Sequence, residues 1–181
     1  IFTQNEKPLH LKIDNDSEIT DHGVASIRKT IIEEVKDCDY QDIRTCLVHS
    51  DLTRENILVN KERDTISAII DFGDCHNDYI AWDLAIVITH IFITKAYGIN
   101  SQALEIFIRK YYDDFLLSDT EKRAIIPLMK IRNINLAVEV DKLIREKQKN
   151  EEELKSIKNS VLTKIKIIEK NTGYLTRILE V

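Results

Sequence analysis

Glycine, proline and cysteine are all scarce in this sequence, and each shortage excludes something. Its 181 residues include four glycines, two prolines and three cysteines. The glycines are nowhere clustered, so no glycine-rich loop of the kind that cradles nucleotide phosphates is present. Cys38, Cys46 and Cys75 are an odd number without CxxC spacing, which argues against a complete disulfide framework and against a zinc site. They read as reduced, cytosolic thiols. His10, His22, His76 and His90 lack metal-site spacing too, and His90, inside an apolar run, reads as a core residue with its hydrogen bonds satisfied. The one long apolar run, Ile80 to Ile93, carries Asp83 and His90 and falls short of a bilayer crossing. With neither a membrane span nor a signal peptide in view, a cytoplasmic location is expected and a membrane partner is not.

Charge of one sign is also missing. The 26 basic residues are interleaved with 31 acidic ones, for a net charge of −5, so the basic stripe of a nucleic-acid binder is absent and nucleic acid is not an expected partner. Met129 is the only methionine, and the chain opens on Ile1 in polar sequence. The expectation is that the sequence is a piece of a longer protein.

What is present is ordinary for a folded domain: 43% hydrophobic and 31% charged residues. Residues 1–16, with Pro8 and Asp14-Asn15-Asp16, read as loop. Val24, Ile27, Ile31 and Val35 fall on one face of a helix over Asp21–Asp37, capped by Thr20 or Asp21. Cys46-Leu47-Val48 is a short apolar run, and Ile57–Val59 and Ile66–Ile70 read as the strands of a hairpin. After that the pattern is helical. One helix is expected over Tyr79–Tyr97, ended by Gly98, and a second over Gln102–Leu116. A third opens at Ser118 with Glu121 as a capping box and is kinked or broken at Pro127. Lys142–Lys155 reads as a solvated, charge-dense surface. A last helix from Glu152, with Leu154, Ile157, Val161, Ile165 and Ile168 on one face, stops near Gly173.

The informative stretch is His49-Ser50-Asp51-Leu52-Thr53-Arg54-Glu55-Asn56, followed by Asp71-Phe72-Gly73-Asp74. The first loop feeds one strand of the hairpin and the second leaves its partner, so Asp51, Asn56 and Asp71 arrive at the same end. Phosphoryl transfer needs this inventory: a carboxylate to orient and accept the proton of the attacking hydroxyl, and hard oxygen ligands that hold Mg²⁺ against ATP phosphates.

The two segments resemble the HxDxxxxN catalytic loop and DFG-like metal loop of the protein kinase-like superfamily. Within it, the chain is similar to the aminoglycoside phosphotransferase family, which includes choline, homoserine and hydroxylysine kinases; residues 47 to 85 carry the likeness. The resemblance implies Asp51 as catalytic base, Asn56 and Asp71 as magnesium ligands and contacts to the ATP cofactor, and His49, Asp74 and Asp83 as supporting residues. Asp83 is the residue that ties the catalytic loop down. The implied fold class is α+β: a mostly helical C-terminal lobe spanning 1–181, with a catalytic core at 46–85, a helical substrate-binding part at 86–181, and the N-terminal nucleotide lobe absent. That lobe, elsewhere on the same chain, and a small-molecule substrate are the implied partners. Without it, this stretch alone is expected to be inactive.

A small acceptor fits better than a protein one. Thr53 stands where protein-serine kinases carry lysine, no APE-like segment follows, and only about ten residues separate Asp71 from the helix bearing Asp83, too few for a peptide-presenting activation loop. An amine-bearing acceptor is expected, with Asp78, Asp113, Asp114, Glu139 and Asp141 as candidate contacts, each of which taken singly reads more readily as surface charge. A protein kinase and an inactive pseudokinase or interaction module remain the alternatives. Arg54 is expected to pair with Glu55 or Glu62, and Trp82 to pack in the core. Ser50, where the family commonly has glycine, is tolerable if its backbone is not left-handed.

Overall fold

Helix α1 (His22–Lys36) begins where Asp21 Oδ1 accepts the backbone N–H groups of Gly23 at 2.9 Å and Val24 at 3.2 Å, so Asp21 and not Thr20 is its cap. The computed structural model describes residues 19–36, 40, 42–147 and 150–180. The loop expected over 1–16, His10 and Cys38 lie outside the described residues. Val24, Ile31 and Val35 on the inner face of α1 are buried.

Two antiparallel pairs follow, one nested within the other along the chain. Strand β1 (Thr45–Val48) pairs with β4 (His76–Tyr79), Thr45 opposite Tyr79 and Val48 opposite His76. Between them in sequence lies the hairpin of β2 (Ile57–Asn60) and β3 (Thr65–Ile69), Ile57 opposite Ile69, with a bulge between Leu58 and Val59. Asn60 Oδ1 closes its turn by accepting from the backbone of Glu62 and Arg63. The nesting makes the loops at 49–56 and 70–75 the two crossings between one strand pair and the other. The hairpin matches the expectation; β4, a His-Asn-Asp-Tyr strand in which Tyr79 alone favours extended chain, departs from it.

The helix expected over 79–97 is shorter than its pattern. Helix α2 (Ala81–Val87) widens into a π-helical turn at Ile88–Phe92, and the chain then forms β5 (Ile93–Thr94) and β6 (Gly98–Ile99). A run rich in β-branched residues, Ile88-Thr89 and Ile91 to Thr94, resists helix continuation, and Gly98 takes φ 71° where the turn after β5 enters β6.

Asn100 caps α3 (Ser101–Asp114) through Ala103 N–H. Helix α4 (Asp119–Arg145) has the expected capping box, with Ser118 Oγ accepting from Glu121 N–H and Glu121 Oε2 accepting from Ser118 N–H. Pro127 does not divide α4. Ala124, Ile125, Leu128 and Met129 around it are buried, and at roughly 1.5–3 kcal/mol for each large side chain taken out of water their packing outweighs the ~3 kcal/mol of a mid-helix proline. Helix α5 (Glu151–Lys170) stops at Asn171, whose side chain donates to Ile167 O at 2.7 Å, and α6 (Thr172–Leu179) starts at once with Gly173 inside it. The expected end near Gly173 therefore lies two residues earlier.

The core gathers Ile86 of α2 and Ile88 just past it, Leu104 and Ile108 of α3, Ile125, Leu128, Ile131 and Ile134 of α4, and Ile165 of α5. Polar ties fix α4 against its neighbours. Glu121 binds Arg44 just before β1 through both oxygens at 2.8 Å, Lys130 reaches Glu34 of α1 at 2.6 Å, and Asp141 accepts from Lys158 of α5 at 3.1 Å. The Arg44 guanidinium holds the Glu121 carboxyl down to about 2. Among the described residues no helix is long and apolar enough to cross a membrane.

Candidate active site

The loop after β1 is held by its backbone. Asp83, in the first turn of α2, accepts from His49 N–H at 2.7 Å through one oxygen and from Ser50 N–H at 2.8 Å through the other. His49 Nε2 meets the Ile70 carbonyl at 2.9 Å. A carbonyl only accepts, so Nε2 carries the proton and Nδ1 is left to accept from Asp51 N–H at 3.3 Å. The ring thereby joins the two loops in a fixed tautomer.

Ser50 is left-handed, at φ 69°, which is the condition under which serine in place of glycine is strained. Its hydroxyl accepts from Trp82 Nε1 at 3.0 Å, an interaction glycine lacks. Trp82 is buried, as expected, and this bond gives its indole N–H a partner.

Asn56 sits on the short 3₁₀ turn Arg54–Asn56 and is 8% exposed. Its Nδ2 donates to Asp51 Oδ2 at 2.8 Å and to the Asp51 carbonyl at 2.9 Å. Its backbone carbonyl accepts from Ile70 N–H at 3.0 Å. Ile70 is thus gripped from both sides, by Asn56 at its N–H and by His49 at its carbonyl, and Asp71 follows immediately in a left-handed conformation at φ 64°. Phe72 stacks obliquely on His49, ring centroids 4.7 Å apart. Asp51, Asn56 and Asp71 are therefore brought to one place. Asp74 contributes only its backbone carbonyl, to His76 Nδ1.

The Asp71 carboxylate is exposed and has no hydrogen-bond partner among the described residues, and Asn56 Oδ1, on a largely buried residue, has none among them either. These hard oxygen donors, fifteen positions apart and carried by loops joined through Ile70 N–H and the Asn56 carbonyl, are of the kind that hold a magnesium ion. No group of three or more His, Cys, Asp or Glu side chains among the described residues forms a metal cluster of another kind.

Sequence reasoning missed Arg132. From α4, 81 positions along the chain, its Nη2 donates to Asp51 Oδ1 at 3.2 Å. The available signal was a cation in the most buried stretch of that helix, between Ile131 and Asn133. Two other expectations fail nearby. Arg54 does not pair with Glu55 or Glu62; it donates to the Ile91 carbonyl, in the π-helical turn where carbonyls are released from the α-helical ladder. His90 is not satisfied: its Nε2 is buried without a partner, and burial, together with the charges of Lys164 and Arg132, pushes its pKa down to about 3.

The carboxylates suggested for an amine are placed otherwise. Asp78 is buried and accepts from Tyr79 N–H and His76, Asp141 is buried against Lys158 and Thr20, and Asp113, Asp114 and Glu139 are exposed.

A family model described as the phosphotransferase enzyme family matches residues 5–115. The homoserine kinase of Zymomonas mobilis is 28% identical over 104 residues, which are 54% of this chain and 32% of that protein. An amicoumacin kinase solved in complex with AMP-PNP, Ca²⁺ and Ami superposes with a TM-score of 0.59 at 13% identity, covering 93% of this chain and 53% of that one. At that identity the likeness is one of fold. The chain spans about a third of the length of the curated relative and about half of the solved one. Since the family model covers more than half of its residues, and its HxDxxxxN and DFG-like loops meet as described, the chain belongs to the phosphotransferase enzyme family.

Proposed function

We propose that the protein containing this chain transfers the γ-phosphoryl group of ATP to a hydroxyl of a small molecule, with Asp51 as the base. The observation that carries this reading is the Asp51 carboxylate itself. One oxygen is held by Asn56 and the other by Arg132, so the group is aimed and has lone pairs left for a hydroxyl proton. When bound, Mg²⁺ neutralises charge on the transferring phosphates, with Asn56 Oδ1 and the Asp71 carboxylate as its protein ligands. Asp83 and His49 act by position: they fix the backbone on which Asp51 and Asp71 stand.

Leu58 on the hairpin and Ile70 before Asp71 are 44% and 41% exposed, an apolar floor beside the metal-binding carboxylate suited to the flat face of adenine. The remaining nucleotide contacts belong to a lobe elsewhere in the whole protein. The homoserine kinase relative keeps hydroxy amino acids within the acceptor class set out above, beside aminoglycosides, hydroxylysine and choline.

The test is ADP release by the full-length protein with ATP and Mg²⁺ over a panel of those acceptors, repeated with Asp51→Asn. Acceptor-dependent turnover that falls about 10²–10⁴-fold in a folded variant is expected. Absence of both turnover and magnesium-dependent nucleotide binding refutes the enzyme and leaves an inactive scaffold.

A further inference from the structure

Beside the Arg132–Asp51 pair stand a further cation and polar groups that their surroundings do not fully satisfy. Arg132 spends Nη2 on Asp51, while its Nε is buried without a partner. His90 Nε2, on the π-helical turn, is buried and unpartnered as well. Lys164 comes from α5, which packs along α4, and makes no hydrogen bond or ion pair among the described residues. The three belong to one neighbourhood, since Lys164 and Arg132 both act electrostatically on His90, and Arg132 and Arg54 both act on Lys164. Among the described residues, Glu55 is the carboxylate that acts on Lys164 in the opposite sense, without bonding to it.

Half-buried like charges and orphaned donors are costly to hold together unless an anion completes them. Burial first, and then the neighbouring guanidinium charges, push the Lys164 ammonium down to about 8. Asn56, on the proposed metal side, holds one oxygen of Asp51 and Arg132 the other, so Arg132 stands at the oxygen turned away from Asn56.

We propose that Arg132 and Lys164, with His90 Nε2–H as a third donor, bind a carboxylate carried by the acceptor, so that the substrate is a short hydroxy acid rather than a purely cationic alcohol. This deepens the kinase reading and rests on it. Arg132 then serves two carboxylates with one planar guanidinium: Nη2 holds Asp51, while Nε receives the substrate, which sets the hydroxyl at a fixed reach from the base. The expectation of acidic side chains around an amine is thereby replaced by basic side chains around an acid.

Calorimetric titration of the full-length protein, saturated with AMP-PNP and Mg²⁺, tests this with three alcohols built on one 3-hydroxypropyl unit: homoserine, γ-hydroxybutyrate and propanolamine. The two acids should bind about tenfold or more tighter than propanolamine, the scale of a charge-assisted hydrogen bond. Lys164→Met should erase that preference and Lys164→Arg should keep it, with thermal melts confirming that both variants fold. Propanolamine binding as tightly as the acids, no binding of either acid, or a preference that survives Lys164→Met overturns the proposal. So does a loss of AMP-PNP affinity in Lys164→Met equal to the loss for the acids, because the group would then face a nucleotide phosphate. ADP release measured alongside separates the two readings. Selective acid binding without turnover removes the kinase reading and keeps the subsite, whereas turnover indifferent to the carboxylate does the reverse.

Discussion

Asp83→Asn changes one oxygen into an NH₂ group and leaves the volume almost unchanged, so it isolates the two bonds that hold the catalytic loop. In the parent chain both carboxylate oxygens accept, at 2.7 Å from His49 N–H and 2.8 Å from Ser50 N–H. The amide can accept through one oxygen only; its NH₂ faces a second donor, and one backbone N–H is stranded. Hydrogen bonds to a charged acceptor contribute about 1.5–3 kcal/mol, and an unsatisfied buried donor costs about 1–3 kcal/mol. The expected destabilisation is about 2–3 kcal/mol, or about 4–12 °C in melting temperature for a chain of this size. Urea denaturation of Asp83→Asn should show it, with Asp74→Asn as the control, because the Asp74 carboxylate is exposed and its amide is expected within about 0.5 kcal/mol of the parent. The loop should loosen as well, so protection of the Ser50 and Asp51 amides from hydrogen exchange should fall in Asp83→Asn. A destabilisation below about 0.5 kcal/mol, equal to that of the control, would refute the claim that this carboxylate organises the loop.

Ser50→Ala removes the acceptor of the Trp82 indole and keeps the left-handed backbone, so a loss of about 1–2 kcal/mol is expected in denaturant titration. Ser50→Gly loses the same bond but relieves about 1 kcal/mol of backbone strain, and should therefore lie closer to the parent than Ser50→Ala. Glu121 predicts acid sensitivity. Its folded pKa of about 2 lies below the ordinary 4.5, so its stabilisation is complete above pH 4.5 and is lost as pH falls toward 2. The loss is on the order of 2 kcal/mol once solvent screening at the half-exposed Arg44 is discounted, and stability measured across that range should flatten in Glu121→Gln.

Local signals were legible wherever one residue dictates its own surroundings. Ser118 and Glu121 announced a capping box, and the two β-branched runs announced the hairpin, because cap and strand chemistry act within a few positions. The spacing of Asp51, Asn56 and Asp71 led to their convergence for the same reason: the hairpin between them is short. What escaped the sequence depends on distant packing. The extent of α2, the survival of α4 through Pro127, and the strand at His76–Tyr79 follow from the partners these segments meet, and a 3.6-residue period records none of that. Arg132 is the sharpest case, since nothing near it in sequence points to Asp51.

Helix α4 carries the tie to Arg44 at one end, those to Glu34 and Asp51 in its middle, and that to Lys158 at the other. Its 27 residues form a rod about 40 Å long, on which each added residue turns everything beyond it by about 100°. A single-residue insertion between Glu121 and Lys130 would swing Arg132 off Asp51 and Asp141 off Lys158 together, whereas the same insertion in the Asn60–Thr65 turn would only lengthen a surface loop. Relatives that share this arrangement are therefore free to vary in length at the hairpin tip and are held to one length along the rod.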